Sequence, residues 1–345
     1  LLFAACAGPQ PANTSQPDAP APVARGEATD KRPAGNPTPG AAGQVIGSNE
    51  RLLIYLPIAG DQLPAIAARF LGNPGLDWVI ADANGSGHLE PGQPVVVPLK
   101  ALNPTGVSAD RVKTVPILCY HRFGTSNSKM VISAARFAAQ LEWLSRNGFR
   151  VIPLADLQDF LAGRRALPQK SVVITIDDGY ESVFKLAYPL LKQYGFPATV
   201  FVYTDFLGAG DALRWPQIQE MAGSGLIDIQ SHTKSHRNLI ERNSAETDER
   251  YRINLNAEMQ VPKDILQRRL EGHRVKAIAY PYGDANAVVM DAATRSGFEL
   301  GATVVPGGNP FYAQPLLLRR TMIFGDLEIE GFKGKLQVSR ALAAP

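Results

Sequence analysis

The sequence contains few cysteines and no concentration of positive charge. Its 345 residues include two cysteines, Cys6 and Cys119, which are too few for a disulfide framework. Cys119 lies in an apolar run and is predicted to be a buried free thiol. The formal net charge is +3 and no run of Lys and Arg occurs, which argues against a nucleic-acid partner. The 45% of hydrophobic residues is ample for a globular core.

The chain is organised around an apolar run, Ser171–Ile176, that ends in Asp177, Asp178 and Gly179. A β-branched run without polar alternation predicts a strand buried on both faces, as parallel strands of α/β folds are. The carboxylates then lie at the carboxyl end of the strand, where such folds place their chemistry. Neighbouring side chains on a strand point in opposite directions, so the two aspartates can have different roles. The alternative is a solvated Asp-Asp-Gly turn.

A histidine pair follows a second predicted strand, Leu226–Ser231. The chain has five histidines, and two of them are His232 and His236. If the chain turns into a helix there, the spacing of four places both on one face. Two imidazoles and one carboxylate form a three-ligand set that leaves a coordination position open, as a catalytic divalent metal requires. The alternative is an incidental pair of histidines.

Two motifs in this stretch resemble those of a known family. Thr175–Gly179 and His232–His236 resemble the first and second motifs of the polysaccharide deacetylase family, the NodB-type domain of carbohydrate esterase family 4. Strands alternate with helices across residues 112–335, which predicts a parallel, barrel-like α/β fold. The resemblance implies the distorted (β/α) barrel of that family, followed by a tail at 336–345.

The resemblance also implies roles for the residues of both motifs. Asp178, His232 and His236 would bind the metal, and Asp177 would be the general base. Strand geometry alone says only that the two aspartates differ. Zinc is the expected ion, and cobalt, nickel and iron are alternatives because two imidazoles and a carboxylate suit all four.

The general acid is expected from the first strand of the barrel. Val115–His121 resembles the branch of the family that deacetylates poly-N-acetylglucosamine, in which this histidine is the general acid. Other branches use a histidine late in the chain, and none follows His273 here. The alternative for His121 is a buried structural histidine.

Tyr280–Gly283 resembles the third motif of the family. In this motif the backbone N–H of Tyr282 would face the developing oxyanion. The family's arginine, which orients the catalytic aspartate, is replaced by Ala279. Arg320 is predicted to supply that charge, since Arg319 would point the other way.

A small unit at 45–100 precedes the barrel, and a linker at 101–111 joins the two. Its predicted order is β-α-α-β, with strands at Arg51–Leu56 and Gln93–Pro98 and helices at Gln62–Phe70 and Leu76–Ala83. Gly60-Asp61 is predicted to cap the first helix and Asn84-Gly85 to end the second. The unit is similar to the LysM module, which implies binding to N-acetylglucosamine-containing glycans such as peptidoglycan. A packing subdomain without affinity for glycan is the alternative.

The first residues indicate export. Leu1–Cys6 reads as the end of a hydrophobic signal segment, and Ala4–Cys6 resembles the cleavage box of bacterial lipoproteins. Residues 7–44 are rich in Pro, Ala, Gly, Ser and Thr and are predicted to be a disordered tether. We expect an exported protein held at the cell envelope by a lipid anchor alone, as a periplasm-facing outer-membrane lipoprotein.

Together these features predict a metal-dependent N-deacetylase that acts on an N-acetylglucosamine polymer, either exopolysaccharide or peptidoglycan. Two alternatives remain open. An O-acetyl polysaccharide esterase would use the same machinery, because esters and amides are hydrolysed alike. A catalytically silent wall-binding lipoprotein would explain Ala279 and the missing late histidine.

Overall fold

The structure is a computed structural model that describes residues 42–242 and 244–342. The predicted signal segment at 1–6 and nearly all of the predicted tether at 7–44 lie outside the described residues. In the part of the chain that is described, no helix has both the length and the apolar character needed to span a membrane.

The small unit contains three strands and two helices around its own core. In chain order its elements are β1 (Gln44–Ser48), β2 (Leu52–Leu56), α1 (Leu63–Leu71), α2 (Asp77–Asn84) and β3 (Val95–Pro98). The β-α-α-β order is confirmed, and β1 is an additional strand that pairs antiparallel with β2. The likeness to a LysM module stays a prediction.

One of the two predicted helix ends in this unit is wrong. Asp61 does not cap α1, which begins after Gln62 without a side-chain cap. Its carboxylate instead accepts hydrogen bonds from the Ile58 N–H (2.9 Å) and the Tyr55 hydroxyl (3.0 Å), so it organises the preceding turn. Asn84-Gly85 does end α2, because Gly85 adopts the left-handed conformation that glycine permits, with φ 68°.

The rest of the chain alternates strands with helices. The strands are β4 (Arg111–Lys113), β5 (Val115–Tyr120), β6 (Arg122–Gly124), β7 (Val131–Ser133), β8 (Arg150–Val151), β9 (Ser171–Ile176), β10 (Ala198–Val202), β11 (Ile227–Ser231), β12 (Ala277–Ala279), β13 (Leu300–Ala302), β14 (Gly308–Asn309), β15 (Thr321–Met322) and β16 (Ser339–Ala341). The helices are α3 (Ala134–Arg146), α4 (Asp156–Leu161), α5 (Tyr188–Tyr194), α6 (Trp215–Gly223), α7 (Asp248–Arg269), α8 (Ala287–Arg295) and α9 (Ile329–Lys333).

The main sheet is parallel along most of its length. Its strands lie in the order β13-β12-β11-β10-β9-β5, and each neighbouring pair in this run is parallel. At the other side of β5, β15 pairs parallel and β14 antiparallel. The parallel, barrel-like α/β fold predicted from the sequence is confirmed.

The ends of this sheet meet at Leu318. Its N–H donates to the Gly301 carbonyl (2.7 Å), and its carbonyl accepts from the Thr303 N–H (2.9 Å). Leu318 forms a single parallel bridge with Ala302, and only Thr321–Met322 pairs as a strand in this segment. A short bridge in place of a full strand closes the barrel and distorts it.

Alternation along the strands divides the barrel core into two layers. All six residues of β9 are buried, which confirms a strand covered on both faces. Val172 and Ile174 pack in the layer beneath the helices, whereas Val173 packs inside the barrel with Ile117 and Phe201. Continuing the alternation places the side chain after Ile176 inside the barrel as well.

The small unit contacts the amino-terminal end of the barrel strands. Arg150, the first residue of β8, pairs with Asp77 of α2 at 2.7 Å. The N–H of Gln169, two residues before β9, donates to Asp82 at 3.0 Å. Because Asp177 follows the opposite end of β9, the unit and the candidate site lie at opposite ends of the barrel. Beyond 335, β16 pairs with β4, so ordered structure continues into the predicted tail.

Candidate active site

The two aspartates after β9 diverge because the backbone turns sharply between them. Asp177 continues the strand and is only 2% exposed. Asp178 has φ 74° and Gly179 φ 84°, both in the left-handed region. A β-carbon at Gly179 would lie 2.9 Å from the Val202 side chain, so glycine is needed there. The two aspartates diverge through a left-handed turn and not through strand alternation alone, and their separate roles stay a prediction.

Asp177 forms a buried bidentate ion pair with Arg320. Each carboxylate oxygen accepts one guanidinium N–H at 2.7 Å, and Arg320 is 0% exposed. The same guanidinium donates to the Thr303 carbonyl (2.9 Å) and to the Thr175 hydroxyl (3.2 Å). Burial on its own would raise the pKa of Asp177, but Arg320, helped by His232, holds it well below its usual range. The predicted charge from Arg320 is thus where it is needed.

Arg319 points away from the site, as the sequence predicts. Its guanidinium is exposed and donates to the Pro306 carbonyl at 3.1 Å.

His232 and His236 converge without a helix between them. The segment after β11 is irregular, and Thr233 and His236 adopt left-handed conformations with φ 72° and 61°. The predicted helical face is therefore wrong. The two rings nevertheless meet edge to face, with centroids 4.7 Å apart, because the tight turn returns the chain toward its starting point.

Asp178 and the two histidines form a three-ligand cluster. Asp178 Oδ1 lies 3.6 Å from His232 Nε2 and 3.4 Å from His236 Nε2. Ligand atoms about 2 Å from a tetrahedral ion lie roughly 3.3 Å apart, so these separations match a shared ion. All three ligand atoms fall within 4.8 Å of one another. The predicted convergence of these residues is observed.

The electrostatics of the cluster suit a cation. His232 Nδ1 lies 2.8 Å from the Ala279 carbonyl, which only an Nδ1–H can satisfy, so Nε2 keeps its lone pair toward Asp178. Burial lowers the pKa of His232 to about 4 and lowers that of His236 as well. Burial, with the nearby charge of Asp177, raises the pKa of Asp178 to about 6. Two neutral imidazoles and a carboxylate in need of a positive neighbour fit a divalent metal.

A second cluster beside the first does not fit a metal as well. Cys119, His121 and Asp177 also bring ligand atoms within 4.8 Å of one another. However, both Asp177 oxygens already bind the Arg320 guanidinium, whose charge repels a cation. Burial raises the pKa of the Cys119 thiol, which favours the protonated form that donates to Asp177 at 3.4 Å. The cluster places His121 next to Asp177, where the general acid was predicted.

Tyr282 lies at the rim of the site. Its backbone has φ 61°, and the following Gly283 packs so closely that a β-carbon there would lie 2.6 Å from the Val304 nitrogen. The Tyr282 side chain is 62% exposed, and its ring contacts that of His236 at 5.1 Å. The ring therefore borders the cluster, in addition to the backbone role predicted from the third motif.

Three contributors to the site were not predicted from the sequence: Cys119, Thr175 and the Ala279 carbonyl. A signal existed for two of them. Cys119 and Thr175 are register partners on β5 and β9, and each lies two residues before a predicted site residue on the same face. No sequence signal marks a backbone carbonyl such as that of Ala279.

This geometry can be compared with that of known proteins. The family model for polysaccharide deacetylases matches residues 164–301. The chain is 31% identical over 201 residues to YxkH of Bacillus subtilis (strain 168), which is named as a polysaccharide deacetylase. The matched region covers 58% of this chain and 68% of that protein. The chain belongs to the polysaccharide deacetylase family.

Two further proteins are similar to this deacetylase. It is 27% identical over 222 residues to the poly-beta-1,6-N-acetyl-D-glucosamine N-deacetylase of Staphylococcus aureus (strain MRSA252), covering 60% of this chain and 76% of that protein. Its structure matches that of IcaB from Ammonifex degensii with TM-score 0.59 and 29% identity, covering 65% of this chain and 97% of that chain. The distorted barrel of the family is thereby confirmed.

Removing the guanidinium should destabilise the deacetylase most at neutral pH. In metal-free protein, Arg320→Met leaves Asp177 buried without a counter-charge, and we expect a loss of about 3–5 kcal/mol in the free energy of unfolding at pH 7. The folded-state pKa of Asp177 would then rise above its unfolded value of about 4. A raised pKa contributes stability at low pH that is lost as pH rises, so the deficit relative to wild type should shrink toward pH 4.

Urea unfolding of both proteins with chelator at several pH values measures this. The matched control is Arg319→Met, which should cost less than about 1 kcal/mol because Arg319 is exposed. Equal losses for the two variants, or a deficit for Arg320→Met that does not change with pH, would contradict the assignment.

Proposed function

We propose that this deacetylase removes N-acetyl groups from an N-acetylglucosamine polymer. One observation carries the proposal: the three-ligand cluster of Asp178, His232 and His236 lies directly beside an aspartate held ionised by Arg320. The similarity to an N-deacetylase of poly-β-1,6-N-acetylglucosamine supports that polymer as the first substrate to test.

Asp177 is the proposed general base. Each of its oxygens accepts one N–H from Arg320, and a carboxylate oxygen has two lone pairs, so it can still accept a proton from water. Its lowered pKa keeps it ionised at neutral pH. The water oxygen then forms a bond to the acetyl carbon while its proton passes to Asp177.

A divalent ion bound by the cluster supplies Lewis acidity, which polarises a carbonyl and lowers the pKa of water. Zinc is the proposed ion, with cobalt, nickel or iron as alternatives, since the ligands suit all four. Asp178 supplies the charged oxygen ligand. The Ala279 carbonyl holds His232 in the tautomer whose Nε2 can bind, and the Tyr282 ring packs against His236.

The remaining steps are assigned to His121 and Tyr282. The backbone N–H of Tyr282 is proposed to donate to the developing oxyanion, a contribution of roughly 3–4 kcal/mol for one well-aimed donor. His121 is proposed to protonate the sugar nitrogen as its bond to the acetyl carbon breaks, because without that proton the nitrogen would have to leave as a strongly basic amide anion. The products are acetate and the free amine.

The alternatives make different demands on the protein. An O-acetyl esterase has an alkoxide leaving group, which is less basic than an amide anion and needs less help from His121. The catalytically silent binder was suggested partly because Ala279 replaces the arginine that orients the aspartate in the family. Arg320 pairs with Asp177 instead, so the lack of an arginine at 279 no longer favours that alternative.

Acetate release tests the proposal directly. Wild type should release acetate from poly-N-acetylglucosamine, lose activity with chelator and regain it on addition of zinc or cobalt. Asp177→Asn should lower kcat by about 10²–10⁴ while the bound metal content is unchanged, because Asp177 moves a proton and is not a ligand. His236→Ala should lose metal and activity together. Acetate is measured enzymatically and metal by mass spectrometry.

The substrate panel separates the competing functions. It contains poly-N-acetylglucosamine, peptidoglycan, chitin oligomers and acetylated xylan. Release only from xylan would replace the proposal with the esterase. No release from any polymer by metal-loaded protein, with no change on Asp177→Asn, would favour the silent binder.

We propose that the small unit at 45–100 holds the protein on peptidoglycan. The loops that precede α1 and β3 lie side by side, because the Gly92 N–H donates to the Pro57 carbonyl at 2.8 Å. Gln62→Ala with Glu90→Ala, two exposed positions in these loops, should reduce sedimentation of the full chain with peptidoglycan. Activity on soluble oligomers should be unchanged, since the active site is at the other end of the barrel. Unaltered sedimentation would favour a packing role for the unit.

We propose that Cys6 carries a lipid and anchors the exported protein in the outer membrane, facing the periplasm. The resemblance of Ala4–Cys6 to a lipoprotein cleavage box supports this. Wild type expressed with its full leader should fractionate with outer membranes, whereas Cys6→Ser should be released into the soluble periplasmic fraction. Mass spectrometry of the mature amino terminus then identifies the modification. A wild-type protein without lipid would contradict the proposal.

A further inference from the structure

Helix α7 contributes one charged residue to its buried face. Glu258 is 6% exposed and lies among apolar neighbours on that face, which consists of Tyr251, Leu255, Glu258, Met259, Pro262 and Leu266. Within the described residues, no Lys, Arg or His side chain pairs with this carboxylate. A buried carboxylate needs strong hydrogen bonds in place of water, so its partners must account for its position.

The partners of Glu258 all belong to the segment between the two histidine ligands. Oε2 accepts the backbone N–H groups of Lys234 (3.0 Å) and Ser235 (2.9 Å), and Oε1 accepts the Ser235 hydroxyl (2.6 Å). Hydrogen bonds to a charged acceptor are stronger than neutral ones. A helix distant in the sequence thus fastens the middle of the metal-binding turn.

This turn needs fastening because its backbone is strained. Thr233 and His236 are not glycines, and each adopts a left-handed φ, which side chains with a β-carbon rarely adopt. Inside the turn, the His236 N–H donates to Thr233 Oγ1 and the Thr233 N–H to Ser231 Oγ, both at 3.2 Å. From outside the turn, the Asp205 N–H donates to the Lys234 carbonyl at 2.9 Å. Glu258 holds the opposite, N–H side of the same segment, so the two contacts together fix the path of the chain between the imidazoles.

Pro262 removes one hydrogen bond from α7 beside Glu258. It lies four residues after Glu258 and has no N–H, so the Glu258 carbonyl lacks its usual helical donor.

We propose that Glu258 is a positioning residue that sets metal affinity by holding Lys234 and Ser235, so that His232 and His236 share one ion. The inference rests on the proposed function only in that the cluster binds a metal. Glu258 acts on the ion through the geometry of the turn that it holds and not through direct electrostatic attraction between its carboxylate and the ion. Supporting groups of this kind typically contribute 10–100-fold to metal affinity.

The test is zinc affinity of the full chain, measured by competition with a chromogenic chelator, together with thermal unfolding of the metal-free protein. Glu258→Gln keeps the side-chain length, with an oxygen for the N–H groups and an amide that can donate to the Ser235 hydroxyl. We expect it to bind zinc within about threefold of wild type. Glu258→Asp keeps the charge but withdraws the carboxylate by one methylene, and we expect affinity to fall 10–100-fold.

The relative zinc affinities of these two variants decide between a geometric and an electrostatic role for Glu258. Affinity that is retained by Glu258→Asp and lost in Glu258→Gln would indicate an electrostatic role and overturn the proposal. Wild-type affinity in both, with only a lower unfolding temperature, would show that Glu258 merely stabilises the fold and would also overturn it. Asp264→Ala, on the exposed side of α7, is the matched control and should bind zinc as wild type does. Wild type that binds zinc but releases no acetate would contradict the proposed function and leave this inference standing.

Discussion

The site depends on a single buried ion pair. An ionised carboxylate inside a barrel is strongly disfavoured, and Arg320 compensates for this through two parallel hydrogen bonds to Asp177. The pair joins two segments that are distant in the sequence, since Asp177 follows β9 and Arg320 directly precedes β15. Closure of the barrel at Leu318 brings these strands together. Folding of the whole barrel is therefore a condition for an ionised Asp177.

The same pair separates the two aspartates chemically. Asp177 is paired with a fixed guanidinium. Asp178 instead faces two neutral imidazoles, and no Lys or Arg side chain among the described residues lies within ion-pairing distance of it. The left-handed turn at Asp178 and Gly179 produces this division over one peptide bond. One strand end thus presents both an ion-paired carboxylate and a carboxylate of the three-ligand cluster.

Much of the fold and of the candidate site could be predicted from the sequence. The buried strand, the placement of polar residues at strand ends and the choice of Arg320 over Arg319 follow from side-chain alternation and from the need for a counter-charge. The convergence of His232 and His236 was predicted for the wrong reason, because helical spacing and a left-handed turn bring them together equally well. The Glu258 clamp was not predicted, since its partners are mainly backbone N–H groups, which leave no mark in a sequence.

The small unit and the active site occupy opposite ends of the barrel, so any glycan held by the unit is distant from the reacting sugar. At the other end, the central claim is that Asp178, His232 and His236 bind one metal ion. A crystal structure with anomalous scattering at the zinc edge tests this claim most directly. We predict one ion within about 2.3 Å of Asp178, His232 and His236, with Asp177 still paired to Arg320. An ion bound instead by Cys119, His121 and Asp177, or no ion at either cluster, would contradict the account.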